Sequence, residues 1–361
     1  MKKLSQKRRE WLRSRQIRIL HRLRLQRQAI RYGASARPTA CVIRLPRVIS
    51  SLLPQWSGKL SRALNELHSN CLSGAHKVKL DFSPVHLMRA DGMLVLLAHI
   101  EILSAAYPNR IQARCPSGSL AAQLLHWFDM GQSLGVSQRG NTPKHALVTG
   151  WKFFHGTKAD GQGVGKFLAG LRKDYHLDLP DHLYDALVES VTNVSHHAYP
   201  PEMPTLPAPE FQRWWFFAYC NPPKGEEPGD LSIAIFDLGV GIIEHMKHRF
   251  SFGETVRNTT KQLFNLFGAS TRVGLDMSLL TETIELGKSS TKLPHRGNGL
   301  PEMLEFTVGT SNGEFHVLTG GIHYCRQASK PKSIVAKSDM APLGTLLCWY
   351  VPVRATPKEM A

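Results

Sequence analysis

Two apolar segments in the C-terminal half, joined by a turn rich in proline and glycine, constrain the fold more than any other feature. Arg213–Cys220 and Leu231–Phe236 have the length and the aromatic and branched content that are typical of strands. The turn Asn221–Gly229 between them is long enough to reverse the chain. We therefore expect an antiparallel hairpin, and with it a sheet in this half of the protein.

A helix is predicted just before this hairpin. Pro180 and Asp181 are typical of a helix N-terminus, and the helical pattern continues to Ala198. At about 100° per residue, Glu189 and Asn193 fall on the polar face, one turn apart. By the same spacing, Tyr184 falls on the apolar face. A solvated polar face is the simplest interpretation of this helix alone.

Two glycine-containing segments follow the hairpin. Asp237-Leu-Gly239-Val-Gly241 ends the second strand with a carboxylate and with glycines that let the backbone approach a flat ring closely. Gly297-Asn-Gly299-Leu300 leads into a predicted helix, Glu302–Phe306, whose free N–H groups suit a phosphate. Four residues add positive charge just before it: Lys288, Lys292, His295 and Arg296. A tight turn and a basic solvent loop are the alternatives for these two segments.

The order of these motifs resembles that of the GHKL ATPases, the family of gyrase, the heat-shock chaperone, mismatch-repair MutL and histidine kinases. The matching segments are the helix with Glu189 and Asn193, then Asp237–Gly241, then Gly297–Leu300. Gly344-Thr345 is similar to the start of the closing strand in that family. The resemblance covers about residues 175–353 and implies ATP and Mg²⁺ as cofactors.

The resemblance also implies a role for each matching residue. Asn193 would coordinate Mg²⁺, and Glu189 would act as general base toward water or a protein hydroxyl. Asp237 would accept a hydrogen bond from the adenine amino group, with Thr345 supporting it. The matching glycines would form the pocket wall and the lid over the phosphates: Gly239, Gly241, Gly297 and Gly299. The string that begins at Glu189 is closest to that of the anti-sigma serine kinases.

Residues 49–145 alternate predicted strands with predicted helices, which indicates a small α/β unit. Val78–Phe82 and Arg110–Cys115 are the strands, and Gly92–Leu103 is a buried helix between them. This unit resembles the STAS domain of anti-sigma-factor antagonists. Ala90 stands where that family usually carries a phosphorylatable serine, so phosphoryl switching is not expected here.

Positive charge is concentrated at the N-terminus. Residues 1–47 contain 15 Lys or Arg and one acid, Glu10, whereas the remainder contains 30 basic and 27 acidic residues. We predict a basic helical arm over residues 1–48. A nucleic acid backbone or another anionic surface is a candidate partner, and a solvated arm without a partner is the alternative.

These patterns predict an α/β protein in three parts: the arm over 1–48, a STAS-like α/β domain over 49–145, and a GHKL-type sandwich of mixed sheet and helices over 146–356. The string Gly161–Phe167 suggests a phosphate loop, but it lacks the required Ser or Thr and is predicted to be a flexible turn. No apolar run has the length of a membrane span, and the six cysteines form no C-x-x-C pair. A cytoplasmic setting is therefore expected.

The predicted function is that of an Mg-ATP-binding regulatory protein that acts on a protein partner. It would be an ATPase or a serine kinase with Glu189 as general base. Two alternatives remain open: a nucleotide sensor with little turnover, and a nucleic-acid-associated protein that uses its basic arm in bacterial regulation or defence.

Overall fold

The computed structural model describes residues 41–73, 77–137, 148, 150–180, 182–203, 212–250, 272–286, 299–341 and 343–355, which form a mixed α/β fold. The helices are α1 (Pro54–Ser73), α2 (Ala90–Ala106), α3 (Leu120–Trp127), α4 (Gly161–Tyr175), α5 (Leu183–Asn193), α6 (Ile242–Phe250), α7 (Arg272–Leu286) and α8 (Gly299–Gly309). The strands are β1 (Cys41–Arg44), β2 (Val48–Ile49), β3 (Val78–Asp81), β4 (Leu87–Met88), β5 (Ile111–Arg114), β6 (Trp151–Gly156), β7 (Leu177–Asp178), β8 (Trp214–Asn221), β9 (Gly229–Asp237), β10 (Glu314–Thr319), β11 (Ile322–Gln327), β12 (Ile334–Lys337) and β13 (Thr345–Ala355).

A small parallel sheet forms the N-terminal part, in the order β1-β3-β5. Parallel strands need crossover connections, and α1 and α2 provide them. The short strands β2 and β4 form a separate parallel pair beside this sheet. Strand β1 lies in residues that we assigned to the basic arm, so the arm assignment does not hold for Cys41–Arg44.

A large antiparallel sheet forms the C-terminal part, in the order β12-β11-β10-β13-β9-β8-β6, with β7 paired to the end of β13. Strands β8 and β9 pair from Trp214 opposite Asp237 to Asn221 opposite Asp230. The predicted hairpin is therefore confirmed. Its turn lies at one end of β9, and Asp237 lies at the other.

Both faces of the large sheet are buried, because successive side chains of each strand point to opposite faces. Ile233 and Ile235 of β9 pack with α4, α5, α7 and α8 on one face. Ala234 and Phe236 pack on the other face in a single core with α1 and α2. The helix α2 is buried from Ala90 to Ile100, and its unbroken apolar run Met93–Ala98 covers every side, as expected of a helix between two layers. Asp91 and His99 are its buried polar residues. The N-terminal unit thus completes a core that the C-terminal sheet needs.

Two local predictions in the C-terminal half were wrong. Gly161–Phe167 is not a turn but the start of α4, where the Asp160 carboxylate caps the helix by accepting from the Gly163 N–H at 2.8 Å. Tyr184 is 45% exposed, and the apolar face of α5 is formed instead by Leu183, Leu187 and Val191. Among the helices that the structure describes, none combines the length and the apolar character needed to cross a bilayer.

Candidate functional site

The polar face of α5 carries the first two residues of the site. Glu189 and Asn193 are half-buried and lie one turn apart. Asn193 is the last residue of α5. After Asn193 the helix widens into one π-helical turn, Val194–Ala198, a local form that is frequent at functional sites.

The N-terminus of α8 lies directly against Glu189. A Cβ atom on Gly299 would overlap the Glu189 carboxylate, so a side chain at position 299 would force that carboxylate to move. Burial raises the pKa of Glu189, the nearby Glu302 carboxylate raises it further, and His196 lowers it. Two predicted site residues that are 110 positions apart in the sequence, Glu189 and Gly299, are thus brought together.

Asp237 lies at the end of β9 and is 3% exposed. Its Oδ1 accepts a hydrogen bond from the Gly239 N–H at 2.8 Å. Burial raises the pKa of Asp237 to about 7, although backbone N–H groups of Gly239 and Thr345 favour the charged form. A carboxylate offers about four acceptor positions, so these two donors leave capacity for a ligand donor.

The loop after Asp237 is held against the end of the α5 segment. Ala198, the last residue of the π-helical turn, accepts a hydrogen bond from the Val240 N–H at 2.9 Å. A Cβ atom on Gly239 would overlap the same carbonyl group. The segments around Glu189 and Asp237 therefore meet through main-chain contacts that tolerate no side chain at position 239.

A second contact fixes the far side of this loop. Gly241 and Gly344 have φ values of +78° and +83°, which glycine adopts at little cost. The Thr319 hydroxyl accepts from the Ile242 N–H and donates to the Gly344 carbonyl, both at 3.1 Å. Thr345 lies directly opposite Thr319 across β10 and β13. The predicted residues Asp237, Gly241 and Thr345 are thus brought together around Thr319.

Several predicted lid residues cannot be placed. Gly297, Lys288, Lys292, His295 and Arg296 lie outside the described residues, as does the basic arm up to position 40. Among the residues that the structure does describe, no group of three or more His, Cys, Asp or Glu side chains is arranged to hold a metal ion.

Two residues that connect the site were missed from the sequence. Thr319 is the last residue of β10, and only the strand register places it beside Thr345. Tyr199 follows the π-helical turn, and its hydroxyl accepts from the Leu238 N–H at 3.0 Å. A tyrosine just after a polar helix was visible in the sequence, but nothing local indicated its partner.

Comparison of the chain with family models, with curated proteins and with solved structures gave no match.

Proposed function

We propose that the protein binds ATP with Mg²⁺ in a GHKL-type pocket and uses Glu189 as general base for ATP hydrolysis or for phosphoryl transfer to a serine of a protein partner. One observation carries this proposal. Three polar and glycine-rich segments, far apart in the sequence, meet on one side of the large sheet, through Gly299 against Glu189 and through Val240 bonded to Ala198.

The Asp237 end of the site suits a purine amino group. The carboxylate is buried, is fixed by backbone donors and lies beside glycines at positions 239 and 241. A neutral N–H donor from a base would satisfy the charged carboxylate without adding a cation to a buried place. Adenine has such an amino group, whereas guanine presents a carbonyl oxygen at the same ring position.

The Asn193 end suits the phosphates. An amide oxygen is a ligand that Mg²⁺ accepts, and Mg²⁺ is usually held by few protein ligands together with phosphates. Mg²⁺ there would neutralise the phosphate charge during transfer. The N-terminus of α8 lies on the same side and presents backbone N–H groups that favour an anion.

Glu189 suits the role of general base. Its pKa is raised, above all by burial, and this brings the carboxylate closer to the range where it can take a proton at neutral pH. It lies one turn from Asn193, so a base and a magnesium ligand would face the same phosphate. Any side chain at position 299 would displace this carboxylate.

The proposal is tested by measuring ATP binding and phosphate release with wild type, Asn193→Ala and Glu189→Gln. Glu226→Gln is the matched control, because Glu226 is exposed in the turn at the opposite end of β9 from Asp237. We expect Asn193→Ala to lose Mg-dependent ATP binding. Glu189→Gln should keep binding and lose turnover by about 10²–10⁴-fold, and the control should do neither.

Three results would contradict parts of the proposal. If the wild type binds no ATP, the proposed nucleotide site is wrong. If Glu189→Gln binds and turns over ATP like wild type, the proposed role of Glu189 as general base is wrong. If the wild type binds ATP tightly without turnover, with or without candidate protein substrates, the protein is a nucleotide sensor and not an enzyme.

A further inference from the structure

The helix α2 of the N-terminal unit contacts the sheet directly behind the proposed nucleotide site. Its His99 ring lies 6.0 Å from the ring of Phe236, the residue before Asp237. Leu238, the residue after Asp237, is buried in the core to which α2 belongs. The strand end that carries Asp237 is therefore held from behind by the N-terminal unit.

Glu101 is the acidic residue near the C-terminal end of α2, and both of its carboxylate oxygens are used. Oε1 accepts from Arg213 Nη1 at 2.9 Å, and Oε2 accepts from Trp215 Nε1 at 2.8 Å. The side chains of Glu101 and Arg213 are only 27% and 18% exposed. A partly buried pair that is fixed by two hydrogen bonds holds its strand more firmly than a surface ion pair does.

Hydrogen bonds through Tyr199 connect Arg213 to the loop after Asp237. The Arg213 carbonyl accepts from the Tyr199 hydroxyl at 2.7 Å, and that hydroxyl accepts from the Leu238 N–H at 3.0 Å. Tyr199 directly follows the π-helical turn that ends the helix with Glu189 and Asn193. One tyrosine thus ties the start of β8 to both main segments of the site.

We infer that Glu101 is a positioning residue for the base-binding end of the nucleotide pocket, and that it acts through Arg213 and Tyr199 on the backbone next to Asp237. The inference rests on the proposed function, because it assigns Asp237 to the base. It gives the N-terminal unit a role in nucleotide affinity that needs no phosphorylation and no movement of the unit.

The test uses Glu101→Gln and Tyr199→Phe in the full chain, with Asp174→Asn as control. The Gln side chain keeps an acceptor for Trp215 but removes the charge that holds Arg213. Phenylalanine at position 199 removes both hydrogen bonds of the hydroxyl. Asp174 forms an ion pair of similar length, 3.0 Å, with Lys152, but it lies on α4, away from the chain of hydrogen bonds from Glu101 to Leu238.

We expect the dissociation constant for ATP to rise about threefold to tenfold in Glu101→Gln and at least about tenfold in Tyr199→Phe. The preference for ATP over GTP should fall in both variants, since a displaced Asp237 no longer discriminates the base. The turnover number at saturating ATP should change by less than about threefold. The double variant should equal Tyr199→Phe alone, because both changes act along one path.

The base preference separates positioning from a general loss of stability, which would lower the folded fraction and leave the ratio of ATP to GTP affinity unchanged. Wild type that binds ATP, with Glu101→Gln and Tyr199→Phe both binding it as tightly and as selectively, would overturn the inference and leave the proposed function intact. Wild type that binds no ATP would overturn both. Additive effects in the double variant would reject the path through Tyr199.

Discussion

Replacing Asp237 by asparagine should stabilise the fold at neutral pH while it removes nucleotide binding. Asparagine has nearly the same shape and keeps an oxygen for the Gly239 N–H, but it cannot ionise. The ordinary pKa of Asp237 is 3.8, and burial raises it to about 7 in the folded protein. The folded state therefore binds the proton more tightly than the unfolded state, and wild-type stability falls as the pH rises from about 4 to about 7.

The size of the effect follows from these two pKa values. Each pH unit between them corresponds to about 1.4 kcal/mol, so the ionised carboxylate costs the folded state about 4 kcal/mol above pH 7. The advantage of Asp237→Asn over wild type should be close to zero at pH 4 and should grow to at most about 4 kcal/mol at pH 8. Contributions from other titrating groups are common to both proteins and cancel in the difference.

The assay is urea unfolding of both proteins at pH 4.5, 6 and 8, followed by tryptophan fluorescence, with ATP binding measured at pH 8. Asp230→Asn is the control, because Asp230 is exposed at the opposite end of β9. ATP affinity should fall at least about tenfold in Asp237→Asn, since a charge-assisted hydrogen bond is lost. A stability difference that does not change with pH would refute the buried titrating carboxylate, and unchanged ATP affinity would refute its contact with the base.

Two further outcomes are expected. Gly299→Ala should lower ATP turnover, because its Cβ overlaps the Glu189 carboxylate and forces that side chain to move. Gly309→Ala at the other end of α8, where a Cβ meets nothing within 4 Å, should leave turnover unchanged, and phosphate release compares the two. Burial opposes the charge of His316, but hydrogen bonds with Cys325 and Glu314 outweigh it and raise its pKa to about 9. His316 therefore stabilises the fold fully below pH 6.5, and up to about 3 kcal/mol of that stability is lost as the pH rises through 9. A free energy of unfolding that stays constant from pH 6.5 to 9.5, or that has the same pH dependence in His316→Gln, would contradict this.

The hairpin β8–β9 was predictable because its signal is local. Two apolar segments and a turn that cannot continue either of them leave the chain few choices. The start of α4 was not predictable in the same way, since Gly161, Gly163 and Gly165 argue against a helix by propensity. The cap from Asp160 and the burial of Val164 and Leu168 outweigh that propensity.

The sequence suggests the residues of the candidate site but not the contacts between them. Glu189, Asn193 and Asp237 stand out because a polar face and a strand-end carboxylate are visible in the sequence. Thr319 and Tyr199 act through partners that only the strand register and the loop path bring close. Such contacts leave no periodicity in the sequence, so a sequence pattern can indicate candidate site residues but not the hydrogen bonds that connect them.

The N-terminal and C-terminal halves of the chain bury apolar surface of each other. Trp214-Trp215-Phe216-Phe217 has no alternation of apolar and polar residues, which is typical of a strand buried on both faces. A sheet with helices on one side only would leave Trp215 and Phe217 in water. The unbroken apolar run Met93–Ala98 covers every side of α2 and has the complementary need, because no single layer can bury it. Each half thus supplies the surface that the other lacks. The nucleotide site proposed at the end of β9 depends on both halves, because a change in α2 that shifts Phe236 must also shift Asp237 next to it.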